Sequence, residues 1–342
     1  MACLGLWGLF TWILMARATP LMRREGGRSL HRALPFYDLL VVIPSNVKNV
    51  EKRQGIRDSW AKYLDAAGRC ARCSSARTVK IVFGIGQASE PDATSLAFEQ
   101  QAFGDVAVLE VPPGQDFYRN LATKVQSCIA FAVRNFRFGL LLKVDTDSFV
   151  FMDRLLPLLE SQQLFQKDGE EGPGIYGGAF QSNARPDETP GGKWADRTYR
   201  LMTGHDLFPK YARGAGYLLS PSLCRYIAGI LEAQPDSEDT WAGLPHLQAL
   251  PNEDVSVGFW LEPVVHRKVE LAIAHLPTGC RNKTQVIDHH VMPKLMALWM
   301  ALRWSTLESQ GDPCSAQHVL QEEVFEQLLA TKLDALNYSG LS

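Results

Sequence analysis

The sequence predicts an α/β domain built on a mostly parallel sheet, and three observations carry that prediction. Short uninterrupted apolar runs recur along the first half of the chain, segments of helical length separate them, and the fourth run ends abruptly on two aspartates. Strands covered on both faces read as continuous apolar runs. Their alternation with helices marks a parallel sheet flanked by helices.

The elements follow in order. YDLLVVIPS (37–45) is the first expected strand, TVKIVFGIG (78–86) the second, VAVLEVPP (106–113) the third and FGLLLKVDTD (138–147) the fourth. Helices are expected around 50–65, 89–103 and 116–135. The second half is less regular. GIYGGAF (174–180) and GAGYLLS (214–220) read as strands punctuated by glycine. PSLCRYIAGILEAQ (221–234) reads as a helix opened by Ser220 or Pro221, and NEDVSVGFWLE (252–262) begins with Asn and two acids, a helix N-terminal pattern. Residues 316–331 read as an amphipathic helix.

The chain has 342 residues, 46% hydrophobic and 21% charged, which is the composition of an ordinary globular protein. A formal net charge of -2 gives no basis for a nucleic-acid partner. Residues 2–16 form an uncharged apolar run, shorter than the roughly 20 residues of a spanning helix. Its length fits a signal-peptide core, and Ala16-Arg17-Ala18 fits a cleavage site. A short signal anchor is the alternative. Arg17, Arg23, Arg24 and Arg28 follow the run and no basic residue precedes it, which counts against an anchor with a cytosolic N-terminus. Either way the chain is expected in the secretory pathway. The sequons at Asn282 and Asn337 agree with a lumenal chain. Beyond Cys3 there are six cysteines, an even set that an oxidising lumen permits to pair. Cys70-x-x-Cys73 has no companion CxxC. A structural disulfide or free thiols therefore fit it better than a redox pair or half a zinc site.

Asp145 and Asp147 are expected at the carboxyl end of the fourth strand, where open α/β sheets bind ligands. Alternating aspartates there suit a divalent cation that takes carboxylate and phosphate oxygens. Three other readings compete. Aspartate is common in turns, so a solvated strand end is one of them. A calcium loop is broken by Ser148-Phe149-Val150. A phosphatase nucleophile motif usually opens its domain, whereas three strand-like segments precede this pair.

Five blocks, in order, decide among these. RQGIRDSW (53–60), DFYRNLATK (116–124), KVDTDSFV (143–150), FPKYARGAGYLLS (208–220) and NEDVSVGFWL (252–261) together resemble the β-1,3-galactosyltransferase and β-1,3-N-acetylglucosaminyltransferase family, over roughly residues 37–300. PGGKWADRTY, GAGYLLSPSL and EDVSVGFWLEPV look most like the branch that adds galactose to galactose in the proteoglycan linkage region. That resemblance implies residues 1–18 as signal peptide or anchor, 19–36 as stem, 37–300 as a GT-A domain and 301–342 as an extension without assigned role. It also implies a Golgi-lumenal, inverting enzyme that uses Mn2+ or another divalent cation, a UDP-sugar donor and a glycan acceptor. UDP-galactose is the favoured donor, UDP-N-acetylglucosamine the alternative, and a catalytically silent sugar-binding relative the rival from another class.

The resemblance assigns roles as well. Asp147 is expected on the metal, with Asp145 on the metal or ribose. Of the two histidines in VIDHHVMPKLM, His289 is the expected ligand. Asp254 is expected to be the base on the acceptor hydroxyl. Arg53, Arg57, Asn120, Lys124 and Lys143 are candidates for the donor. Trp194, Gly214, Gly216, Tyr217 and Glu253 are candidates for the acceptor. One departure stands out: the family carries three consecutive acids, and here the middle one is Thr146.

Overall fold

A computed structural model describes residues 34–300, except 71, 72, 74, 112–115, 117–119, 233–247, 276–283 and 298. All elements below lie in the unit that runs from Pro35 onward. The apolar run 2–16, both sequons, Cys3, Cys280, Cys314 and the helix expected at 316–331 lie outside the described residues. Among the described residues no helix is long and apolar enough to cross a membrane.

The expected GT-A architecture, a mostly parallel sheet flanked by helices, is the one the chain adopts. Strands β1 (Phe36–Ser45), β2 (Val79–Gly86), β3 (Val106–Leu109) and β4 (Arg137–Val144) are followed by β6 (Ile175–Gln181), β7 (Tyr211–Leu219) and β8 (Arg267–Glu270) in one seven-stranded sheet, ordered β3-β2-β1-β4-β7-β6-β8. The chain builds β1, β2 and β3 outward, then returns to place β4 on the other side of β1. That reversal makes β1/β4 a topological switch point, with a crevice beyond the carboxyl ends of both strands. β4 is the central strand, and its last residue, Val144, immediately precedes Asp145.

The apolar runs explain the centre of the sheet. Leu39, Leu40, Val41 and Ile43 of β1 and Leu140, Leu141 and Leu142 of β4 are all fully buried. Alternate residues join the two core clusters on opposite faces of the sheet. Burial of each such side chain is worth about 1.5–3 kcal/mol. Helices α1 (Val50–Arg57), α2 (Asp92–Phe103) and α3 (Leu121–Asn135) fill the crossovers. Helices α4 (Met152–Ser161), α5 (Thr198–Thr203), α6 (Pro221–Glu232) and α7 (Glu253–Leu261) follow.

The second half departs from the simple pattern in two ways. β7 runs antiparallel to both its neighbours, β4 and β6. A small second sheet, β5-β10-β9, joins Phe149–Val150 (β5), Ile273–Ala274 (β9) and Ile287–Asp288 (β10). These two-residue strands have no periodicity to detect. They nonetheless bring chain from 140 residues downstream against the aspartate loop. Cys70 and Cys73 form a disulfide, while Cys128 and Cys224 are free and buried.

Candidate active site

The loop after β4 is held from three sides. Ser148 N–H closes a turn onto the Asp145 carbonyl at 3.1 Å, and Val291 N–H donates to the Asp147 carbonyl at 2.8 Å. Ser148 Oγ donates to Ala215 O at 2.7 Å, and the buried Trp60 donates its indole N–H to Ser148 O at 3.0 Å. Trp60 thus anchors the acidic loop from beneath. Thr146 is buried to 8% exposure, between two half-buried aspartates.

His289 completes the cluster. The parallel pairing of β10 with β9 and the bond from His289 N–H to Ala274 O fix its backbone. Its Nε2 lies 3.4 Å from Asp145 Oδ2 and 3.3 Å from Asp147 Oδ1. Burial lowers the imidazole pKa, but hydrogen bonds and charge from the two aspartates outweigh it and raise it to about 9. Asp147 is pushed up by burial, yet its hydrogen bonds to His289 and His290 hold it well below the usual carboxylate range, helped by the charge on Lys52. Asp145 also sits low, because the charge of Lys143 and the hydrogen bond to His289 outweigh its burial.

One donor atom from each of Asp145, Asp147 and His289 falls within 4.8 Å of the others. His289 Nδ1 is buried without a hydrogen-bond partner. Two carboxylate oxygens and one imidazole, at the mouth of a ligand crevice, fit a divalent cation of the Mn2+ class.

Lys143 organises the other half of the site. It projects from β4 into the protein at 1% exposure. There it donates to Asp145 Oδ1 at 2.8 Å, to Gly214 O at 2.8 Å and to Glu253 Oε2 at 3.1 Å. Burial disfavours its charge, but Asp145 and Glu253 outweigh that and keep the ammonium charged. Glu253 also accepts the buried Tyr217 hydroxyl. Burial raises the Glu253 carboxyl above its ordinary value despite Lys143.

Asp254, the next residue, differs. It is only half-buried, and accepts N–H bonds from Gly214 at 3.1 Å and from Val255 at 2.9 Å. Burial raises its pKa, and those two N–H groups together with Lys143 only partly oppose the rise. Gly214 keeps the space beside both acids open. A Cβ on it would lie 3.3 Å from Glu253 Oε2 and 3.7 Å from Asp254 Oδ2.

Several residues expected on substrate make internal contacts instead. Arg53 is fully buried and forks onto Glu99 at 2.5 and 2.7 Å, with Ser45 Oγ and Asn46 O taking further donors. Arg57 bridges Glu99 and Asp105 and lies over the Phe103 ring. These two clamp α1 to α2, with their guanidinium groups on Glu99 and Asp105. Lys124 pairs with Asp116 and the Ser45 carbonyl, and Asp116 in turn accepts the Gly86 N–H. Tyr217 and Glu253 are buried, so they support the site from behind and do not present to an acceptor. Gly216 packs against Ile287 and Val144, joining the two sheets.

Two expected residues do face outward. Trp194 is 53% exposed and fixed through its carbonyl by Asn252 Nδ2 at 3.1 Å. Asn120, at the start of α3, lines a cavity of about 260 Å3 together with Lys193, Thr198 and Leu250. Lys52 and His275 escaped the sequence reading, and His290 entered it only as the alternative to His289. Lys52, the residue before the block that Arg53 opens, helps by its charge to lower the Asp147 pKa. His290 Nδ1 lies 3.5 Å from Asp147 Oδ2, and His275 lies against both His289 and His290. Lys52 was detectable as a cation one place before the recognised block; His275 was not.

The family model described as Galactosyltransferase matches residues 51–271, and the chain belongs to that family, which makes it a hexosyltransferase. Mouse beta-1,3-galactosyltransferase 6 is 28% identical over 79% of this chain and 74% of its own length. Mouse N-acetyllactosaminide beta-1,3-N-acetylglucosaminyltransferase 4 is 27% identical over 82% of this chain and 73% of its own. The zebrafish UDP-GalNAc:beta-1,3-N-acetylgalactosaminyltransferase 2 is 28% identical over 64% of this chain, which spans only 38% of that protein. Among solved structures, the galactosyltransferase LgtC in complex with donor and acceptor sugar analogs aligns over 79% of this chain and 95% of that one, at 13% identity and a TM-score of 0.38. A likeness that loose carries no weight for the site.

Proposed function

We propose that the protein is an inverting, divalent-cation-dependent β-1,3-galactosyltransferase of the Golgi lumen, moving galactose from UDP-galactose to a terminal sugar of a glycoprotein or proteoglycan glycan. One observation supports this above the others. Asp145, Asp147, Asp254 and His289, whose first and last members lie 144 positions apart in sequence, gather at the switch-point crevice, where Lys143 pairs with Asp145 and with the neighbour of Asp254, Glu253. The names of the relatives favour a β-1,3 linkage, and the linkage-region resemblance favours galactose.

In this reading Asp145, Asp147 and His289 would hold Mn2+, which when bound offsets the charge growing on the leaving diphosphate. Lys143 neutralises Asp145 from behind and keeps the acid pair from repelling the donor. Asp254 takes the proton from the acceptor hydroxyl as that oxygen bonds to the anomeric carbon and the sugar–phosphate bond breaks. UDP leaves, and the configuration inverts. A helix N-terminus alone would make Asp254 a weak base, since it favours the ionised form. Burial opposes that effect and raises its basicity. Trp194 offers an exposed ring for an acceptor sugar to stack on.

The test is hydrolysis and transfer with UDP-galactose, UDP-N-acetylglucosamine and UDP-N-acetylgalactosamine, each with Mn2+ and with EDTA, and with galactoside and xyloside acceptors. Metal-dependent release of UDP from UDP-galactose alone supports the reading. Preference for a second donor replaces galactose, and no release from any donor supports the silent relative.

A further inference from the structure

We propose that His275, His289 and His290 form a second, nitrogen-only cation site, selective for a borderline metal of the Zn2+ class, that shares His289 with the aspartate pair. The topology builds it. β9 and β10 pair in parallel with Ile273 opposite Ile287 and Ala274 opposite Asp288, which sets His275 and His289 side by side as the strands end. His290 then takes a left-handed backbone conformation, with φ of 58°, unusual for a residue with a side chain. The turn stacks its ring on His289 at 3.9 Å and sets it edge-on to His275 at 5.0 Å. One nitrogen from each of the three rings falls within 4.8 Å of the others. His275 is exposed, so a cation reaches the group from solvent, while His289 is buried behind it.

Donor chemistry separates the two sites. Three imidazoles suit Zn2+, and the two aspartates suit a harder cation. Because His289 belongs to both sets, a Zn2+ ion on the histidines draws that ring away from Asp145 and Asp147. Zn2+ then weakens binding at the aspartates without occupying them; this last step rests on the proposed role of the aspartate site.

The experiment titrates metal-free full-length protein with Zn2+ by calorimetry and with Mn2+ by electron paramagnetic resonance. His275→Ala should weaken Zn2+ binding by more than about tenfold, since even an outer partner of a metal ligand is worth that much. Mn2+ binding should be unchanged in the same variant, and its antagonism by Zn2+ should disappear. Asp147→Asn should do the reverse, losing Mn2+ and keeping Zn2+. An unchanged thermal unfolding curve certifies that His275→Ala folds. Zn2+ affinity equal to wild type in His275→Ala, or no Zn2+ binding by wild type, overturns the proposal. Mn2+ binding that survives Asp147→Asn instead overturns the aspartate site and leaves the histidine site standing.

Discussion

Neighbouring acids do different work here because they meet different surroundings. Glu253 points into the protein, where Lys143 and Tyr217 hold it, and Asp254 points to the crevice. Asp254→Asn keeps the acceptor oxygen for Gly214 N–H but loses the base. It should bind UDP as wild type does and lower transfer at least about a hundredfold, the scale of a lost general base, in a steady-state assay. His289 supplies a pH test. Its pKa is raised to about 9, so at neutral pH a proton occupies the nitrogen that faces both aspartates. A cation must displace that proton. Mn2+ affinity should therefore climb by up to roughly tenfold per pH unit below 9, with proton release visible when calorimetry is repeated in buffers of different ionisation enthalpy. For the metal-free protein the sign reverses: a raised pKa adds stability that is full below the ordinary value of 6.5 and is lost as pH rises through about 9. The sequence paired Asp145 with Asp147 by their spacing at a strand end, and preferred His289 through the family resemblance and its spacing to Met296. It could not orient Glu253 against Asp254, since adjacent positions on a helix start differ only by a rotation that packing sets.

At the scale of elements, the site depends on how α1 and α7 seat against the sheet. Arg53 was expected on the donor, yet its guanidinium lies buried on Glu99, while Lys52, one residue earlier, lowers the Asp147 pKa by its charge. A period of 3.6 residues turns consecutive side chains by about 100°, so a one-residue difference separates core from crevice. Arg53→Ala removes the buried fork on Glu99 and leaves Arg57 as the cation that balances that carboxylate. It should destabilise the protein by about 3–5 kcal/mol in urea unfolding, as broken buried pairs do. Donor affinity per folded molecule should stay near wild type. Gly258 sets the approach of α7. A Cβ there would lie 2.5 Å from Tyr211 Cβ and 3.0 Å from Tyr211 Cα, which is backbone of the facing strand β7. Gly258→Ala should push α7 outward, cost about 1–3 kcal/mol by overpacking, and reduce transfer because Asp254 rides on the same helix. The glycine was in plain view in the sequence, but its reason was not, because the contact is with a residue 47 positions away.

Over the whole molecule, the crevice exists because the chain reverses its direction of travel across the sheet between β3 and β4. A ligand bound there touches β1, β4, β7 and the small sheet at once, so binding should stabilise the fold as a unit. UDP with Mn2+, each at about 100 times its dissociation constant, should add about 2.7 kcal/mol for the coupled ligand and raise the melting temperature; EDTA or Asp147→Asn should abolish the shift. The sequence by itself determined the α/β class, the four parallel strands, the place of the aspartates at a strand's end and the family. Those follow from hydrophobic runs and from short motifs whose chemistry is local. Only the tertiary structure decided that β7 runs antiparallel, that Arg53 and Arg57 face inward, that Lys143 links Asp145 to Glu253, and that His275 joins His289 and His290. Each of these depends on contacts between residues far apart in the chain. A one-dimensional pattern records which side chains are available, and the packing of strands and helices decides which of them meet.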